Sequence, residues 1–298
     1  MKESTLAVKS LPDLKSVSAD LSELTKSRLT LLVLFTTLAG FYLAQPSSIH
    51  SVLLLCTLLG TGSVAAGAAV LNQVLEVRQD SFMHRTRNRP LPSGRLKEQD
   101  ALCLGIYLSG FGLAGLFLFV NPACCAIAAL THFSYLFIYT PLKRMSSINT
   151  LIGAIPGALP PVIGWTAAGR PLDVGALSLF LILFFWQMPH FLAIAWMYRE
   201  DYARGGFQML TLNDPTGKAT AGKSVLYALL LLPSGLAPYF LGMTSWLYLV
   251  GAILSGTAYL ASALVFFKAP GSGTSRTLFL VSILYLPFIL VLMTLDRP

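Results

Sequence analysis

Residues 51–80 read SVLLLCTLLGTGSVAAGAAVLNQVLEVRQD. The first 21 of them, 51–71, carry no charge. As a helix rising 1.5 Å per residue, such a run is about 30 Å long, the thickness of a bilayer's hydrocarbon core. Oxygen-bearing side chains then appear at fixed intervals, Asn72, Glu76 and Asp80, followed by FMHRTRNRPLPSGR at 82–95. A membrane-length apolar run that ends in evenly spaced acids and a cationic loop sets the fold class, and it locates the chemistry at one end of a helix.

The rest of the chain agrees with that reading. Of its 298 residues, 55% are hydrophobic and 11% charged, with a mean hydropathy of +0.68. Soluble domains carry roughly 25% charged residues. The pattern predicts an all-α polytopic membrane protein with nine spans, near 29–45, 51–71, 101–120, 123–140, 149–168, 176–197, 224–242, 245–267 and 276–294. Nineteen of the 21 Lys and Arg fall in the arm 1–28 and in segments 72–100, 141–148, 198–223 and 268–276, all at one end; Arg170 and Arg297 lie at the other. The positive-inside rule then places the N-terminus and the long loops in the cytoplasm. The formal net charge of +8 thus reflects topology and not a nucleic-acid surface. The two expected units are a cytoplasmic arm, 1–28, and an intramembrane domain, 29–298, whose polar loops are 72–100, 141–149 and 198–223.

The arm, which contains Asp13, Asp20 and Glu23, has no apolar core or cleavage site and does not read as a signal peptide. A bacterial inner membrane is the expected location. Cys56, Cys103, Cys124 and Cys125 all sit in apolar spans, where they read as small hydrophobes without metal or disulfide spacing. The fifth span is rich in Gly and Pro, and Gly153 and Gly157 form a small-xxx-small pair suited to close helix packing. Trp165, Trp186 and Trp196 are expected at the membrane interface.

Asn72, Glu76 and Asp80, at i, i+4 and i+8, share a face if 72–80 stays helical, and then span about 12 Å. That is too long for one Mg²⁺, whose ligands sit at about 2.0–2.1 Å. Either two ions share the ladder, or the helix unwinds, or waters fill the gaps. Arg78, His84, Arg85, Arg87, Arg89 and Arg95 follow. Positive-inside sorting accounts for most of these cations but not for the acids, since ionisable groups at membrane depth are costly and functional by default. A second polar cluster, 184–210, reads FFWQMPHFLAIAWMYREDYARGGFQML; it offers Arg199 and, as a facing oxygen ligand, Asp201. Between the clusters, YTPLKRMSSIN at 139–149 offers Lys143 and Arg144. Oxygen ligands, Mg²⁺ and a basic loop over an apolar interior suit a lipid diphosphate held by its head group. Metal and Arg/Lys charges aimed at the leaving diphosphate would lower the barrier to C–O cleavage.

The pattern N-x-x-x-[DE]-x-x-x-D followed by R-T-x-N-R-P-L resembles the first motif of the UbiA-type intramembrane prenyltransferases. YTPLKR, GALPPVIGW and the 184–210 segment are similar, more narrowly, to the branch that farnesylates protohaem IX to haem O. The resemblance covers about 25–290. It implies nine helices around a central cavity open toward the cytoplasmic side. It implies Mg²⁺-dependent transfer of farnesyl from farnesyl diphosphate to a vinyl group of haem B, and association with haem A synthase or oxidase assembly factors. Carried onto this chain, it gives Asn72, Glu76, Asp80 and Asp201 as metal and catalytic residues. Lys143 and Arg144 match its basic pair, and with Arg78, Arg85, Arg89 and Arg199 from the polar segments they are the expected diphosphate contacts. His190, in an apolar span beside Pro189, is the candidate haem contact, the alternative being a histidine hydrogen-bonded to a neighbouring carbonyl. Two positions depart from the pattern: Glu76 stands where Asp is usual, and the second D-x-x-x-D keeps only Asp201, with Met197 and Gly205 at its flanking positions.

Overall fold

The computed structural model describes residues 14–45 and 50–298. Among these, nine helices are long and apolar enough to cross a membrane: Ser27–Ala44, Ser51–Leu75, Glu98–Phe119, Pro122–Leu142, Asn149–Ala167, Val174–Met197, Lys218–Phe240, Trp246–Lys268 and Ser272–Leu295. They are called here the first to ninth spans. The chain is a multi-pass membrane protein. Each span begins and ends within a few residues of its predicted limits, the largest shift being at the seventh, which starts at Lys218 and not at 224.

The spans pack in chain order, each against the next, and the ninth returns to the first. The first also packs along the second half of the fifth, and the sixth against the ninth. The crossing of the first and fifth spans depends on two glycines. A Cβ on Gly40 would collide with the Pro161 carbonyl oxygen, and one on Gly164 with that of Thr37. Gly153 and Gly157 serve side-chain packing instead, against Tyr139 and Gln187.

The two ends of the bundle differ in chemistry. One end is closed by helix caps. Asn121 accepts from the Cys124 amide, Asp173 from Gly175 and Ala176, and Asp296 from Ser245 and Tyr248. Each satisfies backbone N–H groups that a helix start leaves without partners. The other end gathers the loops that carry the polar motifs. Trp165, Trp186 and Trp196 are buried rather than interfacial. The Trp186 and Trp165 indole N–H groups donate to the Ser282 and Pro171 carbonyls, so each polar edge is satisfied inside the protein, which removes the reason to seek the headgroup layer. Trp246, at a span start, is the exposed one.

Two spans are distorted where they meet the site. The second ends at Leu75, and Glu76 sits at φ −110°, ψ 8°, before a short helix, Val77–Phe82. The fourth contains a π-helical segment, Ser134–Tyr139. Such segments are frequent at functional sites.

A candidate diphosphate and metal site at one end of the bundle

The ladder is interrupted at Glu76, between the helix that carries Asn72 and the short one that carries Asp80. Because the backbone turns there, the three oxygen-bearing residues no longer stand on one straight helix. All three are buried, with Asn72 1%, Glu76 6% and Asp80 2% exposed. The fourth span reaches the same place from its own distorted end. Thr140 Oγ1, which donates to the Tyr135 carbonyl five residues back (2.9 Å), accepts from Asn72 Nδ2 at 3.1 Å.

Every acid in the cluster is held by a cation. Lys143 Nζ lies 2.8 Å from Glu76 Oε1, and Arg89 Nη1 2.7 Å from Asp80 Oδ2. Arg204 Nη2 lies 2.5 Å from Asp201 Oδ1, which also accepts from the His84 amide at 3.0 Å. That last bond ties the two motifs together across 117 positions of sequence. Beneath it Met83 packs with Ala195, Phe207 and Met209, an apolar plug that pins the arginine-rich loop to the end of the sixth span. The loop after the fourth span is fastened as well. The Gln208 amide donates to the Lys143 carbonyl, and Asn149 Nδ2 to the Gln208 carbonyl, both at 2.7 Å.

Arg85 lies over the rings of Tyr198 and Tyr202, 4.9 and 5.5 Å from their centroids. Arg78, Arg144 and Arg199 are exposed. Arg199 stacks on Trp196 at 4.6 Å. Of the six cations expected at the diphosphate, Arg89 and Lys143 pair with the acids, Arg85 is exposed and laid over the two tyrosines, and Arg78, Arg144 and Arg199 are exposed as well.

Lys26 was not anticipated. It stands just before the first span, in the stretch read as a separate arm, and its Nζ donates to Asn72 Oδ1 at 2.8 Å. Its φ of 47° is positive, which among the described residues holds for no other non-glycine; such strain persists where the surroundings impose it. Burial first, then the charges of Arg89 and Lys143, pull its pKa down to about 7. The sequence signal was present, a lysine directly before an apolar run, but position alone cannot show that its chain turns inward. The arm also contributes Asp20, which pairs with Arg95 at 2.9 Å, and the Leu24 carbonyl, which accepts from Gln73 at 2.6 Å.

The electrostatics favour an anion. Lys26, Arg85, Arg89, Lys143 and Arg204 face Glu76, Asp80 and Asp201, five cations against three carboxylates. At Lys143 burial opposes the charge, yet Tyr139 and Glu76 outweigh it and raise its pKa. At Asp201 burial is outweighed by the Arg204 and His84 hydrogen bonds, and its carboxyl sits below the ordinary value. Even with Lys26 counted as neutral, the formal surplus of the cluster stays positive.

Among the described residues no three His, Cys, Asp or Glu side chains gather closely enough to hold a metal by themselves. The donors present, carboxylates and one amide oxygen, are the hard ligands Mg²⁺ prefers, and Mg²⁺ ordinarily completes its shell with waters and substrate phosphates. The donor set fits that ion, with phosphate as the missing ligand. A hollow of about 490 Å³, lined by Val174, Leu177, Leu181, Pro233, Ala237 and Phe240 among others, opens between the sixth and seventh spans at the opposite end. It contains no acid or base and has no part in this chemistry.

Residues 33–289 match the sequence model described as the UbiA prenyltransferase family. The Protoheme IX farnesyltransferase of Solibacter usitatus is 47% identical over 288 residues, 94% of this chain and 99% of that one. A solved structure titled for digeranylgeranylglyceryl phosphate synthase superposes with a TM-score of 0.79 at 17% identity, covering 94% of this chain and 98% of that one. A UbiA homologue from Archaeoglobus fulgidus bound to DMAPP and Mg²⁺ does so at 0.63 and 14%, covering 92% and 99%.

Proposed function

The chain belongs to the UbiA prenyltransferase family, and from that premise we propose that it transfers farnesyl from farnesyl diphosphate to a vinyl group of haem B, giving haem O. The observation that carries the reading is the cluster of three buried carboxylates faced by five cations, two of them exposed, at one end of an apolar bundle. That is a site for a diphosphate head whose hydrocarbon tail lies among the spans.

The residues divide the work. Arg85, Arg89, Lys143 and Lys26 bind and orient the diphosphate, and take up the charge that grows on it as the C–O bond breaks. Asn72, Glu76, Asp80 and Asp201 would hold Mg²⁺; when bound, it supplies further neutralisation of the phosphate oxygens. Diphosphate leaves with the bonding electron pair. The allylic cation left behind is shielded from water by the bundle and adds to the terminal vinyl carbon. Water then adds to the carbon next to the porphyrin and loses a proton, giving the hydroxyethylfarnesyl group.

The cationic end faces the cytoplasm of a bacterial inner membrane in this reading, with the cavity opening there, and the product passes to haem A synthase or oxidase assembly factors. The test is purified protein with haem B, farnesyl diphosphate and Mg²⁺, the porphyrin product read by mass. Addition of one farnesyl and one hydroxyl to haem supports the proposal. Prenylation of 4-hydroxybenzoate in place of haem, or solute flux across liposomes without any transfer, overturns it.

A further inference from the structure

His190 lies in the sixth span, which ends at Met197, so it sits about 10 Å below that end at 1.5 Å per residue. Its ring is stacked by two aromatic rings. Trp186 stacks on it at 5.3 Å between centroids and 23° between planes, and Phe279 of the ninth span at 5.1 Å and 27°.

The edge of the ring is fixed too. His190 Nδ1 is 2.7 Å from Ser282 Oγ. The serine hydroxyl has one proton, and its oxygen lies 2.5 Å from the Phe279 carbonyl oxygen. Two oxygens that close need the proton between them. Ser282 therefore donates to Phe279 and can only accept from the imidazole. Nδ1 carries the ring proton, and the lone pair is left on Nε2, which makes no hydrogen bond among the described residues.

The residue is also partly exposed. His190, Ile194 and Met197, at i, i+4 and i+7, lie on one helix face, which leads toward Asp201. All three are partly exposed, as is Phe191, while Leu192, Ala193, Ala195 and Trp196 are buried. An imidazole whose tautomer is set through Nδ1 and whose Nε2 makes no hydrogen bond has the usual form of an iron-ligating histidine.

We propose that His190 Nε2 ligates the iron of the acceptor haem, and that Ser282 is a positioning residue that fixes the imidazole tautomer for it. This rests on the reading that haem B is the acceptor. Coordination places the macrocycle beneath the acid cluster, so that a vinyl group meets the farnesyl carbon released above.

Two probes separate iron ligation from mere packing of a flat ring: ferric haem B and metal-free protoporphyrin IX, titrated against the full chain in nanodiscs. The wild type is expected to shift the Soret band of haem and to bind it about tenfold or more tighter than the metal-free ring. His190→Ala should abolish the shift and that preference while leaving protoporphyrin binding unchanged, and added imidazole should restore the shift. Ser282→Ala should weaken haem binding several-fold with protoporphyrin unaffected, and it keeps the comparison open if His190→Ala does not fold. A wild-type spectrum and affinity in His190→Ala, or in Ser282→Ala should that alone fold, overturns the assignment while the proposed activity stands. If the wild type binds haem no better than buffer does, the proposed activity itself fails.

Discussion

Lys143 Nζ sits 2.8 and 2.9 Å from the two carboxylate oxygens of Glu76, a residue 67 positions away that directly follows another span. Both oxygens are thus satisfied by one ammonium in a place shielded from water. A buried ion pair of this kind is weak evidence for stability, because desolvation offsets much of its attraction. The pair is better explained by use. Lys143 holds both Glu76 oxygens in place until phosphate oxygens arrive to share its charge.

Lys143→Gln should therefore harm binding and chemistry together. Glu76 loses its cation and the leaving diphosphate loses a donor. The kcat/KM for farnesyl diphosphate is expected to fall by about 10²–10³, the usual cost of one preorganised electrostatic contact. Lys143→Arg keeps the charge but replaces a point charge with a planar fork that cannot occupy the same space, so it should recover only part of the loss. Steady-state kinetics on both variants, with donor varied at saturating haem, decides this.

Asp80→Asn tests the acid ladder directly. The amide is nearly isosteric, so Arg89 keeps a hydrogen-bond acceptor and the loop should stay in place. What is lost is a negative oxygen for a divalent cation. Transfer activity should drop by about 100-fold or more, with expression, membrane insertion and thermal unfolding close to wild type. Haem O production at the wild-type rate would remove Asp80 from the site.

Asp214 gives a pH-dependent prediction away from the site. Its carboxylate caps the seventh span, accepting from the Thr220 amide at 2.7 Å and the Thr220 hydroxyl at 2.8 Å. Burial pushes its pKa up, but these bonds outweigh that and hold it below the ordinary 3.8. An acid with a depressed folded pKa stabilises fully above its unfolded value, and the gain is lost as pH falls through the folded one. Asp214→Ala should cost about 1 kcal/mol near neutrality. Thermal unfolding of wild type and variant should then converge as the pH drops below about 4.

Much of this was legible in the chain. Uncharged runs of bilayer length define the nine spans, because lipid leaves a helix no other way to satisfy its backbone. The acids of the first motif were legible because charge at membrane depth needs a reason. What escaped is what depends on direction. Lys26 looks like any cation before a span until its φ of 47° turns it inward to Asn72. Arg199 and Arg89 look equivalent on paper, yet one rests on Trp196 and the other holds Asp80. Trp186 reads as a headgroup anchor because sequence does not reveal the Ser282 carbonyl that accepts its N–H.

Asp201 has two tasks that substitution can separate. Its Oδ1 accepts from the His84 amide, which fastens the arginine-rich loop, and from Arg204, which balances its charge. Asp201→Asn preserves an oxygen for the amide and removes the charge. Asp201→Ala removes both. If the residue contributes only as a fastening, Asn behaves as wild type and Ala alone fails. Because the carboxylate is also placed here among the oxygens that would hold Mg²⁺, Asn is expected to raise the Mg²⁺ concentration needed for half-maximal transfer by about tenfold or more, while its loop stays protected from proteolysis. Ala should lose activity at every Mg²⁺ concentration and expose the 83–95 segment to cleavage. Arg204→Gln, which leaves the carboxylate its His84 bond, should fall between wild type and Asn. An Mg²⁺ titration of transfer activity, run beside limited proteolysis of the same four proteins, distinguishes ligand from fastening, and an unshifted Mg²⁺ curve for Asn would strip Asp201 of its metal role.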